Sequence, residues 1–167
     1  MSAPHPLSRR ALLFGRSADV PGPIRPPWAK SAALFRDACT RCDACVRQCP
    51  ANLLKRGDDG LPYFDAQAGE CNFCGECAAA CAHAAFDIAQ DPPWPWRAVV
   101  GDACLSARGV VCASCRDTCP ENAVRLAPGG RGGARVDASR CTGCAACVAA
   151  CPADAIALSA HALEAAA

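Results

Sequence analysis

Apolar side chains along this chain come in bursts of three or four residues, bounded by charge or by turn-forming residues. Asn52-Leu53-Leu54, Ala85-Phe86-Asp87-Ile88, Ala123-Val124-Arg125-Leu126 and Ala155-Ile156-Ala157-Leu158 each predict a short strand. Turns follow the first and third bursts, at Asp58-Asp59-Gly60 and from Pro128-Gly129-Gly130 through Gly133. A second strand follows each turn, at Tyr63-Phe64-Asp65 and Arg135-Val136-Asp137. Lys30 to Asp37 predicts a helix with Leu34 and Phe35 on one side. No apolar run approaches the roughly 18 residues of a membrane span.

Each burst follows a quartet of cysteines, and the quartets begin at residues 39, 71, 104 and 141, an internal repeat running through most of the chain. They read Cys39, Cys42, Cys45, Cys49-Pro50; Cys71, Cys74, Cys77, Cys81; Cys104, Cys112, Cys115, Cys119-Pro120; and Cys141, Cys144, Cys147, Cys151-Pro152. Together they use all 16 cysteines. Three cysteines at two-residue gaps, a fourth three residues on and then a proline form the ferredoxin-type run for a 4Fe–4S cluster. The close loops aim sulfurs and backbone N–H groups at one centre, while the helical turn carries the fourth cysteine to the neighbouring cluster. Disulfides fit this pattern poorly, because cysteines so close together rarely staple distant segments. Zinc knuckles usually present two cysteines each, not three in one loop with a fourth displaced. The candidate metal ligands are therefore all sixteen cysteines, and four 4Fe–4S clusters are the expected cofactors.

Composition sharpens that picture. Leu, Ile, Val and Phe total 28 residues against 38 Ala, a poverty in large apolar side chains that would ordinarily point to disorder. Clusters resolve it by standing in for a conventional core. The formal charge of +1 describes the bare polypeptide. Each oxidised cluster with its four thiolates is near −2, which takes the loaded chain to about −7 and gives no support to nucleic-acid binding through bulk charge. No catalytic constellation or dinucleotide fingerprint is present, so the chain is not expected to be an enzyme. His5, His83 and His161 are scattered, and His83 is expected to be exposed.

Strand, turn, strand, cysteine loop and helical turn make the half-unit of a bacterial ferredoxin. The expected fold class is α+β, with two tandem bacterial-ferredoxin-like modules of short strands and helical turns around iron–sulfur clusters. We divide the chain into an N-terminal partner-contact segment (1–38), a first two-cluster module (39–91), a proline-rich linker with an incoming strand (92–103) and a second two-cluster module (104–167). Asp91-Pro92-Pro93-Trp94-Pro95-Trp96 is the stiff boundary, with Trp94 and Trp96 expected over the seam. In the tandem pairing Cys81 completes the first quartet's cluster, Cys49 the second, Cys151 the third and Cys119 the fourth. A nested pairing, first quartet with last, uses the same spacings; the proline linker favours tandem. Two departures stand out: Ala82 replaces the proline after Cys81, and seven residues separate Cys104 from Cys112. The widened loop is expected to expose its cluster and make it labile.

Ser8-Arg9-Arg10-Ala11-Leu12-Leu13-Phe14 looks like a twin-arginine motif, but the apolar stretch ends at Gly15 and is too short for an export signal, so a cytoplasmic location is expected. Arg25-Pro26-Pro27-Trp28 reads as an extended segment with an aromatic anchor. Together with Cys39-Thr-Arg-Cys42-Asp-Ala-Cys45, Gly101-Asp102-Ala103-Cys104-Leu105 and Cys141-Thr-Gly-Cys144, these features resemble the NapF family of ferredoxin-type accessory proteins of periplasmic nitrate reductase systems. The resemblance implies a cytoplasmic iron–sulfur protein that binds the molybdenum-containing catalytic subunit of periplasmic nitrate reductase before export. It would assist that subunit's maturation by electron transfer or by support of its iron–sulfur site. The alternative is a general soluble electron-transfer polyferredoxin serving another redox enzyme.

Overall fold

The computed structural model describes residues 23–130 and 132–160. The Ser8-Arg9-Arg10 motif, His5 and His161 lie outside the described residues. The first helix, α1 (Ala32–Ala38), is two turns long and ends where the Cys39 N–H donates to the Phe35 carbonyl. The other helices are single turns: α2 (Ala44–Arg47), α3 (Glu76–Ala79), α4 (Ser114–Asp117) and α5 (Ala146–Ala149). Each carries the third cysteine of a quartet at its second position, and that cysteine is buried in all four. Pro50, Pro120 and Pro152 stop three of them, because proline cannot donate the next helical hydrogen bond.

The chain then turns into strands. β1 (Leu54–Arg56) pairs with β2 (Pro62–Phe64), and β4 (Val124–Leu126) pairs with β5 (Ala134–Val136), both antiparallel hairpins. Leu54 stands opposite Phe64, and Val124 opposite Val136, so the buried positions share one face. β3 (Arg97–Val100) pairs antiparallel with β6 (Ile156–Ser159) and closes the second half end to end.

In the first half the corresponding closure shrinks to a single bridge, Ala29 to Phe86, instead of the strand predicted over 85–88. Pro26 and Pro27 have no N–H to offer a ladder. The closure is completed by Lys30 N–H to the Ala85 carbonyl (3.1 Å) and Asp87 N–H to the Trp28 carbonyl (2.8 Å).

Residues 23–38 do not stand apart from this half. The Phe64 N–H donates to the Ile24 carbonyl, and the Arg25 guanidinium reaches the Pro62 carbonyl and the Asp59 carboxylate, each at 3.0 Å. Phe35, only 1 % exposed, packs with Leu61 and Ala85. The main core runs across both halves, joining Leu53, Leu54 and Phe64 to Trp94, Val124, Val148, Ile156 and Leu158. No helix among the described residues is long and apolar enough to cross a membrane.

Candidate metal centres

The cysteine loops are shaped by left-handed backbone. In the first quartet Arg41 (φ 60°) and Asp43 (φ 58°) flank Cys42; in the second Phe73 (φ 53°) and Gly75 (φ 80°) flank Cys74; in the last Gly143 (φ 79°) and Ala145 (φ 71°) flank Cys144. Such positive-φ steps fold successive N–H groups into a concave nest that favours a negatively charged group. Four of these six residues are neither glycine nor asparagine, and each costs about 1 kcal/mol that the surrounding structure must supply.

A second regularity, absent from the sequence reading, follows the fourth cysteine. Asn52, Asn122 and Asp154 all have positive φ (54°, 50° and 47°) at the fourth position of a Cys-Pro-x-Asn/Asp run. The turn each makes points the next N–H back at the cysteine: Leu53 to Cys49 Sγ (3.4 Å), Ala123 to Cys119 Sγ (3.3 Å) and Ala155 to Cys151 Sγ (3.3 Å). The signal was there in the repeated Asn or Asp, residues that tolerate this backbone best.

These loops bring the cysteines together in the tandem grouping. Cys39, Cys42, Cys45 and Cys81 line one cavity; Cys104, Cys112, Cys115 and Cys151 a second; Cys119, Cys141, Cys144 and Cys147 a third. Their empty volumes, about 340, 340 and 320 Å³, are close enough for one kind of guest. Of the remaining four, Cys71 has Cys49 and Cys74 near it, with Cys144 from across the seam, and Cys77 has Cys71 and Cys49 near it, with Cys45 of the first group. None of the sixteen cysteines is in a disulfide.

Among the described residues no group of Cys, His, Asp or Glu side chains is placed to hold a single metal ion. The thiols ring a void instead, a soft all-sulfur donor set that suits a polynuclear iron–sulfur group better than zinc. Burial pushes the Cys77 and Cys147 thiols up to about 12 and the Cys45 and Cys71 thiols up to about 11, with neighbouring sulfurs adding to it. Such thiols ionise only against a bound cation, so the residues fit the cluster the spacing predicts.

The widened loop is exposed over residues 107–111, as expected, but is anchored where it starts. Its extra residues fold back through Arg108 N–H to the Cys104 carbonyl and Val110 N–H to the Leu105 carbonyl. The Ser106 carbonyl accepts from the Gly132 N–H of the β4–β5 turn, and Ser106 is 1 % exposed on the cavity wall beside Leu105. Leu105 and Ser106 therefore wall the cavity while the rest of the loop faces outward. Burial is opposed at Cys104 by N–H groups of Ala107, Ala134 and Ser106, which hold its thiol below the ordinary value. Exposed cysteines occur in the first half, at Cys42 and Cys74.

The other departure, Ala82, has a local consequence. Without the Cys-Pro-x-Asn turn, Cys81 Sγ donates to the His83 carbonyl (3.3 Å), and the exposed His83 lies on the rim of the first cavity.

Trp94 and Trp96 do lie at the seam. The Cys71 N–H donates to the Cys144 carbonyl across it at 2.8 Å. Trp94, 3 % exposed, donates from Nε1 to the Thr142 carbonyl (3.0 Å) and meets Phe64 and Phe73 edge-on. Trp28 packs edge-on against Phe73, and its N–H donates to the Pro93 carbonyl (2.7 Å).

Comparison with known proteins agrees with this geometry. Family models described as "4Fe-4S dicluster domain" match residues 38–86 and 110–155, the second beginning past Cys104. Ferredoxin-type protein NapF of Escherichia coli (strain K12) is 40% identical over 121 residues, covering 72% of this chain and 74% of that one. NapF of Haemophilus influenzae is 39% identical over 122 residues, covering 72% and 69%. The methylamine utilization ferredoxin-type protein MauM of Methylobacillus flagellatus is 33% identical over 153 residues, covering 80% and 65%.

Proposed function

The chain belongs to the NapF family of ferredoxin-type proteins, and from that premise we propose that it is a four-cluster accessory protein of periplasmic nitrate reductase. At the coarser level it is a ferredoxin-type iron–sulfur electron-transfer protein and not an enzyme. In the proposed reading Cys39, Cys42, Cys45 and Cys81 hold one cluster, and Cys49, Cys71, Cys74 and Cys77 a second. Cys104, Cys112, Cys115 and Cys151 hold the third, and Cys119, Cys141, Cys144 and Cys147 the fourth. The observation that carries this is that twelve of the sixteen thiols line three cavities of four cysteines each, in the tandem grouping.

A cluster ligated by four thiolates supplies one-electron chemistry and leaves no iron open to a substrate. The protein's own contribution is to bury the sulfurs, aim N–H groups at them and present the sites to a partner. The partner we propose is the molybdenum-containing catalytic subunit, bound in the cytoplasm before export, to which the protein supplies electrons or support for its iron–sulfur site. The test is capture of the unexported subunit on tagged protein under anaerobic conditions, with iron measured on the same sample. A stable complex at about sixteen irons per chain is expected. A loaded protein that never retains the subunit overturns the partner.

A second reading, a general soluble electron carrier for another redox enzyme, is favoured by the MauM match, which covers more of this chain than the NapF matches do. Reduction of unrelated redox enzymes at rates equal to the nitrate reductase subunit would select it.

A further inference from the structure

We propose that Trp94 is a positioning residue that clamps the loops 71–74 and 141–144 together, so that the two modules exchange electrons through the Cys71–Cys144 contact. The proposal rests on the four-cluster reading. Both loops that meet at the seam belong to the second and fourth quartets, and both are fastened to the same indole. On one side Phe73, inside the Cys71–Cys74 loop, meets the Trp94 ring at 5.7 Å and 89°. On the other, Nε1–H donates to Thr142, inside the Cys141–Cys144 loop.

Gly143 completes the fit. A Cβ there would stand 2.3 Å from the Trp96 carbonyl oxygen and 2.9 Å from Trp94 Nε1, so no side chain can be interposed. The result is a direct hydrogen bond between two ligand residues of different modules, Cys71 N–H to the Cys144 carbonyl. Electron tunnelling weakens steeply with each added layer of atoms, and here none is added.

The contact across the seam is made by the second and fourth quartets, so in the four-cluster reading the order along the relay is first, second, fourth, third. With clusters bound, Cys71 and Cys144 would hold the two that exchange one electron in the crossing step. No bond is made or broken and no proton moves; the electron comes from an external one-electron reductant, dithionite in the test.

A buried tryptophan that merely fills the seam would give a different set of results. Full-length holoprotein, Trp94→Phe and Trp94→Ala are reduced anaerobically and followed by low-temperature electron paramagnetic resonance, with iron and acid-labile sulfide assayed on each sample. In the parent protein the centres of each module should be broadened and relax faster because of the other module. Trp94→Phe keeps a ring against Phe73 but loses the Nε1–H bond to Thr142, and should weaken that inter-module coupling in part. Trp94→Ala should lose it while keeping full iron and the coupling inside each module.

Two independent pairs in the parent spectrum would overturn the proposal. So would unchanged coupling in the Trp94→Ala protein, or loss of its iron, which would make Trp94 a requirement for folding. Parent protein with only about eight irons would instead sink the four-cluster reading by itself.

Discussion

At Cys77 and Cys147 burial holds the thiol proton to about 12, and at Cys45 and Cys71 to about 11. A thiol, buried as here or freed in an unfolded iron-free chain, is mostly protonated at neutral pH, so taking up iron must expel protons. Acid competes with loading and base favours it. Anaerobic reconstitution should therefore acidify an unbuffered solution, and its yield should fall as pH is lowered from about 9 to about 7. A yield independent of pH would mean that the thiols are already ionised.

Arg25 makes a second case at this scale. Its two hydrogen bonds to the β1–β2 turn region and its place 6.0 Å over the Phe35 ring tie residues 23–38 to the first module. Arg25→Ala should cost about 1–3 kcal/mol in chemical denaturation of the holoprotein. Arg25→Lys should recover only part of that, since an ammonium cannot make both contacts with the same fork.

Elements in this protein are scarcely longer than the turns that join them. A four-residue helix gains almost nothing from its own hydrogen bonds, since nucleation costs more than one turn returns. α2, α3, α4 and α5 exist because each buries one cysteine of its quartet and is then ended within a few residues. The widened Cys104–Cys112 loop follows the same economy, anchored at Ser106 against the β4–β5 turn. Solvent access should therefore decide which sites fail first in air. Limited air exposure followed by alkylation and peptide mass spectrometry should label Cys42 and Cys74 before Cys104, Cys112, Cys115 or Cys151. Earlier labelling of the third quartet would restore the idea that its loop is built to be labile.

Across the whole molecule, four cysteines sit within the core cluster that links both modules: Cys45, Cys77, Cys115 and Cys147. The strands are three or four residues long, and the largest buried apolar groups are few. Removing iron would leave thiol-lined voids where other domains of this size hold leucine and isoleucine. Chelation should accordingly abolish the cooperative calorimetric transition and most of the far-UV signal. An iron-free chain that still melts sharply would show that the polypeptide core suffices.

The four quartets, the donor chemistry, the repeat and the hairpin strands were legible in the sequence, because cysteine spacing and Gly or Pro punctuation act over a few residues at a time. The Cys-Pro-x-Asn/Asp turns were legible in the same local sense, though only their shared geometry revealed what they do. Spacing did not say which fourth cysteine lies with which triplet, since tandem and nested arrangements share it; in the packed chain Cys81 lines a cavity with the first triplet, Cys151 with the third and Cys119 with the fourth. The anchoring of the widened loop at Ser106 was likewise hidden, because it depends on Gly132 arriving from a distant turn. So was the meeting of Cys71 with Cys144. Residues 73 positions apart come within hydrogen-bond distance there because one indole packs against both loops, and that is a property of the packed chain that no local pattern encodes.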